Sequence, residues 1–203
     1  MIKILLFIKH RLGFIWNLIE VINGWLVGLF YGRLINRNLR LLLSKSNLEK
    51  FVYKKLEKTD LPLLQSFFVN QRPEQFQYFK PHDFTLSTLQ HLHRNQAFLM
   101  MGVFDGERLI GYFFLRFFLN KKCFIGRIVD DNYQRQGVAK SMNEIMYQTI
   151  WQSGFRCLST ISKHNKSIVN FHQKGKNIRI LKELPNDYLF VEIVKPEVAQ
   201  SLH

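Results

Sequence analysis

The sequence predicts an α/β domain of seven strands and four helices, preceded by a separate helical segment at the N-terminus. Three observations carry this prediction. From Phe51 onward, short apolar runs of strand length alternate with runs of helical spacing. The pair Asp105-Gly106 lies between two apolar runs and is typical of a β-hairpin. The first 50 residues differ from the rest, since Glu20 and Glu49 are the only acidic residues among them.

Composition excludes a wholly disordered chain and indicates anionic partners. With 203 residues, 47% of them hydrophobic, and 19 Phe, the chain can bury a core. The formal net charge of +14 favours phosphates, nucleic acid or acidic lipid as partners. Cys123 and Cys157 lie far apart among apolar residues, without metal-ligand spacing. They predict two buried free thiols of a cytoplasmic protein rather than a disulfide or a metal site.

The N-terminal segment is predicted to be a basic amphipathic appendage over residues 1–50, followed by one domain over residues 51–203. Residues 12–31 are long enough to span a bilayer, but at 100° per residue the small and polar residues share one arc. That arc consists of Lys9, Gly13, Asn17, Glu20, Asn23, Gly24 and Gly28. A broad apolar face with Trp16 and Trp25 beside basic flanks is typical of a helix at an anionic membrane surface. The alternatives are a helix packed on the domain or on a second subunit, and a true span.

Local patterns predict the elements of the domain in chain order. FVYKKLEK, residues 51–58, alternates apolar and polar residues as a strand does. Thr59 or Asp60 then offers an N-cap to a helix whose first turn contains Pro62. Residues 70–81 are predicted to form a loop. The other predicted helices are Ser87–Asn95, Val138–Ser153, ended by Gly154, and about Ser167–Lys174. The other predicted strands are Ala97–Phe104, Leu109–Phe118, Cys123–Asp130, Arg156–Ser162, Ile178–Leu184 and Tyr188–Val194.

A basic turn, QRQGVA at residues 134–139, lies between a predicted strand and a predicted helix. The first amides of a helix have no partner within it, and the helix dipole adds positive charge there, so such a turn can bind a phosphate. Gly137 lets the backbone approach the anion, and Ala139 is small for the same reason. Arg135 and Lys140 add charge. Alone, this pattern is common to many proteins.

The elements around the turn indicate a family. Their order is a strand, this turn, a helix, a second strand and then NKSIVNFHQKG. Over residues 51–194 this order resembles the core of the GNAT acyl-CoA N-acyltransferase superfamily. The resemblance implies a mixed, mostly antiparallel sheet of about seven strands with helices on both faces. It also implies acetyl-CoA as co-substrate, with its pyrophosphate at the turn and its pantetheine arm between two parted strands.

The resemblance implies cofactor contacts residue by residue. The strand before the turn would bond the pantetheine arm through Ile128, Val129 and Asp130. The segment after the next strand would contribute Asn165, Ser167 and Phe171, with one residue fewer between the first two than the family has. The turn would contribute Gln134, Arg135, Gln136, Gly137, Val138, Ala139 and Lys140.

The usual acid–base pair of the family is missing. CFIGRIVDD contains no Glu to take the proton of the acceptor amine, and Phe171 stands where the family has a Tyr that protonates the leaving thiolate. His82 is the first substitute for the base, because its ordinary pKa suits neutral pH; the alternative is an exposed loop histidine. Asp130 is the second, and the alternative is a turn-capping carboxylate.

Lone charges in apolar strands point to the acceptor. Arg116 and Arg127 would be costly if they were unpaired, so one of them is expected to face the cleft and meet an anionic group. The alternative for each is an ion pair or a solvent-facing position.

The predicted function is acetyl-CoA-dependent N-acetylation of a primary amine on a small molecule. The region from residue 117 to 175 is similar to GNAT proteins of bacterial surface-polysaccharide assembly, which favours a nucleotide- or lipid-linked amino sugar. Membrane contact through residues 1–45 would then place the enzyme at the inner face of the membrane. A homodimer is also compatible with the sequence, which does not determine the oligomeric state. A non-catalytic acyl-CoA-binding module and a membrane adaptor remain the alternatives. No nucleic-acid partner is expected, because no recognisable binding motif is present.

Overall fold

The structure is a computed structural model that describes residues 13–46, 50–77, 79, 81–165 and 177–195. The helices in these ranges are α1 (Gly13–Ser46), α2 (Leu61–Val69), α3 (Leu86–Arg94) and α4 (Val138–Gln152). The strands are β1 (Val52–Lys55), β2 (Phe98–Asp105), β3 (Arg108–Phe118), β4 (Lys122–Val129), β5 (Arg156–Ser162), β6 (Ile178–Leu184) and β7 (Tyr188–Ile193). The predicted helix Ser167–Lys174 lies outside the described residues.

The strands form one seven-stranded sheet in the order β1-β2-β3-β4-β5-β7-β6. Every neighbouring pair is antiparallel except β4 and β5, which run parallel. Successive side chains of a strand point to opposite faces, and β2 accordingly places Leu99 and Met101 in one core cluster and Phe98 and Met100 in another. Helices α1 and α4 cover the first face, and α2 and α3 cover the second. The predicted mixed sheet with helices on both faces is confirmed.

The turn signals of the sequence work as predicted. Asp105 pairs with Arg108 across the hairpin between β2 and β3, and Gly106 takes a left-handed φ of 58°. Gly154 ends α4 with a φ of 76°, a conformation that favours glycine. Cys123 and Cys157 are buried and free.

The first strand of the domain is shorter than the alternating pattern predicts. It ends at Lys55 because the next residues fold back on themselves: Glu57 N donates to Asp60 Oδ2 at 2.8 Å, and Asp60 N donates to Glu57 O at 3.0 Å. A short 3₁₀ turn follows, and α2 begins directly after it. The capping hydrogen bonds between Glu57 and Asp60 therefore end the strand before the alternating pattern of the sequence ends.

The N-terminal helix is longer than predicted and is joined to the domain. It continues to Ser46, and its buried Val27, Ile35 and Leu39 belong to the same core cluster as the sheet and α4. Tyr31 meets Phe155 edge to face, with ring centroids 5.2 Å apart. The alternative in which this helix packs on the domain therefore describes α1 from Glu20 to Leu39. Its division from residues 51–203 as a separate appendage stays a prediction.

The contribution of α1 to stability can be measured with two neighbouring leucines. Leu39 is 2% exposed and Leu41 is 56% exposed. We expect Leu39→Ala to lower the free energy of unfolding by about 2–5 kcal/mol, because it removes buried methyl groups and leaves a cavity. Leu41→Ala on the same helix should change it by less than about 0.5 kcal/mol. Urea denaturation of both variants is the measurement, and equal effects would contradict the observed docking of α1.

Candidate active site

The two parallel strands at the centre of the sheet separate soon after they meet. β4 and β5 pair at three positions only, where Lys122, Cys123 and Phe124 face Arg156, Cys157 and Leu158. Ser159 Oγ then reaches Ile125 O at 3.5 Å. Beyond that contact β4 continues to Val129 and β5 continues to Ser162, but the two strands no longer pair with each other. The result is a gap between the carboxyl-terminal halves of two parallel strands, the place where open α/β sheets bind ligands.

The predicted phosphate-binding turn follows β4 and opens α4. Gly137 is the N-cap of α4 with a φ of 85°, and Arg135 also has a positive φ of 61°. Lys140 N and Ser141 N both donate to Gly137 O, at 2.9 and 3.1 Å. The amides of Val138 and Ala139 lie in the first turn, where no carbonyl of the helix can accept them. Left-handed residues within such a turn form a concave group of N–H donors for an anion.

Side chains do not close this turn. Gln134, Arg135, Gln136 and Gly137 are exposed, as is Lys140, and a Cβ built on Gly137 would meet no atom within 4 Å. The left-handed φ of Gly137 adds a conformational reason for glycine that the sequence argument did not include. An open, positively charged set of amides fits a diphosphate such as that of coenzyme A.

The carboxylates near the turn hold it in place. Asp130 is 8% exposed, and its carboxylate accepts hydrogen bonds from Asn132 N at 2.9 Å and Arg108 Nη2 at 3.0 Å. The neighbouring Asp131 pairs with Arg72 of the loop after α2. These contacts favour the turn-capping interpretation of Asp130 over a role as the base.

His82 lies among aromatic rings on the face of the sheet opposite α4. Its ring contacts those of Phe68, Phe84, Phe98, Tyr112 and Phe114, with centroids 5.4 to 6.4 Å apart. Burial lowers the pKa of His82 below its ordinary value of 6.5, although the backbone oxygen of Asp83 partly opposes this. The imidazole is therefore neutral at pH 7.

Hydrogen bonds select the tautomer of His82. Nδ1 lies 2.8 Å from Asp83 O, which can only accept, so Nδ1 carries the proton. Nε2 is therefore unprotonated, and its lone pair accepts a hydrogen bond from the hydroxyl of Tyr112 at 3.4 Å. A neutral imidazole with a lone pair on Nε2 is the form that a general base requires.

The aromatic cluster covers the strand that borders the gap. Tyr112 is the register partner of Ile128, and Phe114 is the partner of Gly126. Phe79, from the same loop as His82, lies 3.2 Å from a Cβ built on Gly126. The loop of His82 and the strand predicted to bond the pantetheine arm therefore meet on one face of the sheet. Tyr112 itself gives no sequence signal, because it occurs within an apolar strand.

The two strand arginines have different surroundings. Arg116 forms an ion pair with Glu20 of α1, which matches the ion-pair alternative for this residue. Arg127 faces α4, where its Nε donates to Asn143 Oδ1 at 2.7 Å. Burial lowers the pKa of Arg127, and no carboxylate pairs with it in the described ranges. Arg127 therefore lacks the ion pair that Arg116 has, and its guanidinium lies on the α4 face of the sheet, opposite the face that carries His82.

The remaining predicted contacts are only partly described. Asn165 lies three residues beyond the end of β5, and its amide donates to Ser162 O at 3.0 Å. Ser167 and Phe171 lie outside the described residues. Val129 ends the β4 edge that borders the gap. Within the described ranges, no group of three His, Cys, Asp or Glu side chains could hold a metal ion.

Comparisons with known proteins agree with this geometry. The family model described as acetyltransferase (GNAT) family matches residues 63–176, more than half of the chain. The search of curated proteins found no match. Among solved structures, the PaiA N-acetyltransferase from Thermoplasma acidophilum in complex with coenzyme A is similar, with a TM-score of 0.60 and 15% identity over 72% of this chain and 100% of that one.

Two further solved structures share the fold. The GNAT domain of S. lividans PAT gives a TM-score of 0.59 at 13% identity, over 70% of this chain and 88% of that one. The ribosomal-protein-S18-alanine N-acetyltransferase from Escherichia coli gives 0.54 at 13% identity, over 75% and 99%. The match to the family model and the parted strands beside an open phosphate-binding turn lead to one conclusion: the chain belongs to the GNAT acetyltransferase family.

Proposed function

We propose that the protein transfers an acetyl group from acetyl-CoA to the primary amine of a small molecule. The family uses acetyl-CoA, and its members act on amines of small molecules or proteins. The observation that carries the proposal is the gap between β4 and β5, with an exposed turn at residues 134–137 that opens α4 after β4. An extended pantetheine arm can bond the free edge of β4 as an added strand would.

The chain's own residues supply positioning and the base. Acetyl-CoA supplies an acetyl thioester. The free amine attacks its carbonyl carbon, the carbon–nitrogen bond forms, and the carbon–sulfur bond breaks. Nε2 of His82 takes the proton that the amine must lose, directly or through one water. The departing sulfur leaves as thiolate and is protonated by water, giving the acetamide and coenzyme A. Asp130 acts here as a positioning residue, because its contacts with Arg108 and Asn132 fix the turn.

An anionic acceptor is the second part of the proposal. Arg127 belongs to the part of β4 that borders the gap and has no carboxylate partner in the described ranges; its guanidinium donates to Asn143 of α4. The partly exposed rings of Phe79 and Phe84 provide an apolar surface near His82. We propose an amino sugar linked to a nucleotide or a lipid diphosphate as the acceptor class, modified at the cytoplasmic face of the membrane.

Enzymatic activity is tested directly by thiol release. Purified protein should release free coenzyme A from acetyl-CoA when an amino sugar linked to a nucleotide diphosphate is added, and release should depend on the amine. Mass spectrometry should find the acceptor heavier by one acetyl group. If the protein binds acetyl-CoA but releases no thiol with any amine, it is a non-catalytic binding module and the proposal fails.

The phosphate-binding turn is tested with two glycines that share a backbone conformation. Gly137 and Gly154 both have positive φ, and a Cβ on either would meet no atom within 4 Å. Gly137→Trp should weaken coenzyme A binding by more than about ten-fold, because the indole fills the space that a diphosphate needs. Gly154→Trp, at the far end of α4, carries similar backbone strain and should bind normally. Calorimetry measures both, and equal affinities would remove the turn from the site.

The role of His82 predicts a pH dependence. Burial lowers the pKa of His82 below its ordinary value, so Nε2 is unprotonated at pH 7 and becomes protonated only as the pH falls through that lowered pKa. kcat/KM should therefore fall on the acid side. His82→Gln should lower kcat by about a hundred-fold and abolish that limb of the profile. His91→Gln, on the exposed surface of α3, is the control. An unchanged profile in His82→Gln would show that another group is the base.

A further inference from the structure

Helix α1 turns an apolar face away from the domain. Its outer face is defined by six large side chains that are between 48% and 63% exposed. They are Leu18, Val21, Ile22, Trp25, Leu29 and Phe30. At 100° per residue they cover about half of the helix circumference over three turns. A contiguous exposed apolar surface of this kind marks an interaction site in soluble proteins.

Polar contacts hold the opposite side of α1 on the domain. Glu20 forms an ion pair with Arg116 of β3. Asn23 Nδ2 donates to Phe117 O at 3.0 Å, and Asn23 Oδ1 accepts from Leu119 N at 3.0 Å. The polar side of this part of the helix therefore faces protein, and its apolar side faces outward. An ordinary surface helix buries its apolar side and exposes its polar side, and this part of α1 does the reverse. The outer face therefore does not belong to the core of the domain.

Small residues make this docking close. A Cβ on Gly24 would lie 2.4 Å from Asn95 Oδ1, and one on Gly28 would lie 1.8 Å from Gln96 Oε1. Asn95 Nδ2 also donates to Glu20 O at 3.4 Å. The helix backbone thus lies directly against the turn before β2, which fixes the direction in which the outer face points.

Exposed arginines follow the outer face along α1, toward the C-terminal end of the helix. Arg33, Arg37 and Arg40 are exposed and, by helical geometry, lie on the same side of α1 as Ile22 and Leu29. No ion pair engages them within the part of the chain that the structure describes. An apolar patch followed by unpaired arginines is complementary to a bilayer surface, whose acyl chains lie beneath a layer of phosphates.

We infer that the outer face of α1 docks the protein on an anionic lipid bilayer. The apolar residues enter the boundary between headgroups and acyl chains, and the three arginines contact lipid phosphates. By length and composition, Asn17–Lys45 of α1 could cross a membrane. We place it in this boundary instead, because Glu20 and Asn23 hold the other side of the helix on the domain. A second copy is a poorer partner, since each copy carries a net charge of +14.

The membrane-docking inference does not depend on the proposed reaction. The helix and its arginines could bind lipid whether or not the domain acetylates an amine. Loss of lipid binding and loss of thiol release are separate readouts, so each idea can fail alone.

Vesicle sedimentation with the full chain tests the inference. The protein should bind phosphatidylcholine vesicles that contain phosphatidylglycerol, bind pure phosphatidylcholine far more weakly, and lose affinity as salt rises. The double variant Trp25→Gln/Leu29→Gln should bind at least about ten-fold more weakly. The triple variant Arg33→Gln/Arg37→Gln/Arg40→Gln should bind about a hundred-fold more weakly.

Matched substitutions in other elements test whether vesicle binding depends on the position of these residues in α1 or on the net charge and hydrophobicity of the whole protein. Leu63→Gln/Val69→Gln removes two exposed apolar residues from α2, and Lys55→Gln/Lys58→Gln/Lys182→Gln removes three exposed charges from other elements. Both controls should bind vesicles as the unmodified chain does. Far-UV circular dichroism and thermal unfolding show that each variant is folded.

Three outcomes would overturn the inference. Equal losses in the control variants would mean that net charge or general hydrophobicity causes binding. A dimer in sedimentation equilibrium that Trp25→Gln/Leu29→Gln dissociates, without vesicle binding by the unmodified chain, would make the outer face a contact between copies. Retention of the protein in cell membranes after alkaline carbonate extraction would mean that α1 crosses the bilayer.

Discussion

The separation of β4 from β5 after three paired positions is the constraint on which the candidate site depends. β4 keeps eight register pairs with β3, and β5 keeps six with β7, so the two strands can part without loss of the sheet. Their facing edges are then left with backbone donors and acceptors that the sheet does not satisfy. Such groups require water or a ligand as partner. A site for an extended, amide-bearing molecule thus follows from the topology.

The distribution of charge follows from which carboxylates are paired. Four acidic side chains form ion pairs with arginines. The pairs are Glu20 with Arg116, Asp130 with Arg108, Asp131 with Arg72 and Glu192 with Arg156. The excess of positive charge is left at exposed places, notably the turn before α4 and the outer face of α1. The protein can therefore present positive charge to anionic partners at two separate places. We propose a soluble diphosphate for the turn and a lipid surface for α1.

In the proposed reaction a histidine takes the place of the carboxylate base, and its neighbours set its tautomer and its charge. Asp83 O fixes the proton on Nδ1, and the aromatic neighbours of His82 keep the ring neutral at pH 7. Neither effect can be obtained from a lone His in a loop sequence. Both arise because the loop folds over β3 and β4, which brings His82 to Tyr112 and the region of Gly126.

Local signals in the sequence determined the order of the elements, the Asp105-Gly106 hairpin, the glycine that opens α4, and the family. These features depend on side-chain periodicity and on backbone conformations that few residues adopt, and both are local properties of the chain. Only the tertiary structure decided which charges are paired, because Arg116 meets Glu20 and Asp130 meets Arg108 across long sequence separations. It also decided that the polar side of α1 from Glu20 to Gly28 faces the domain. Periodicity shows that a helix has two sides, but which side is buried depends on the surface against which the helix packs.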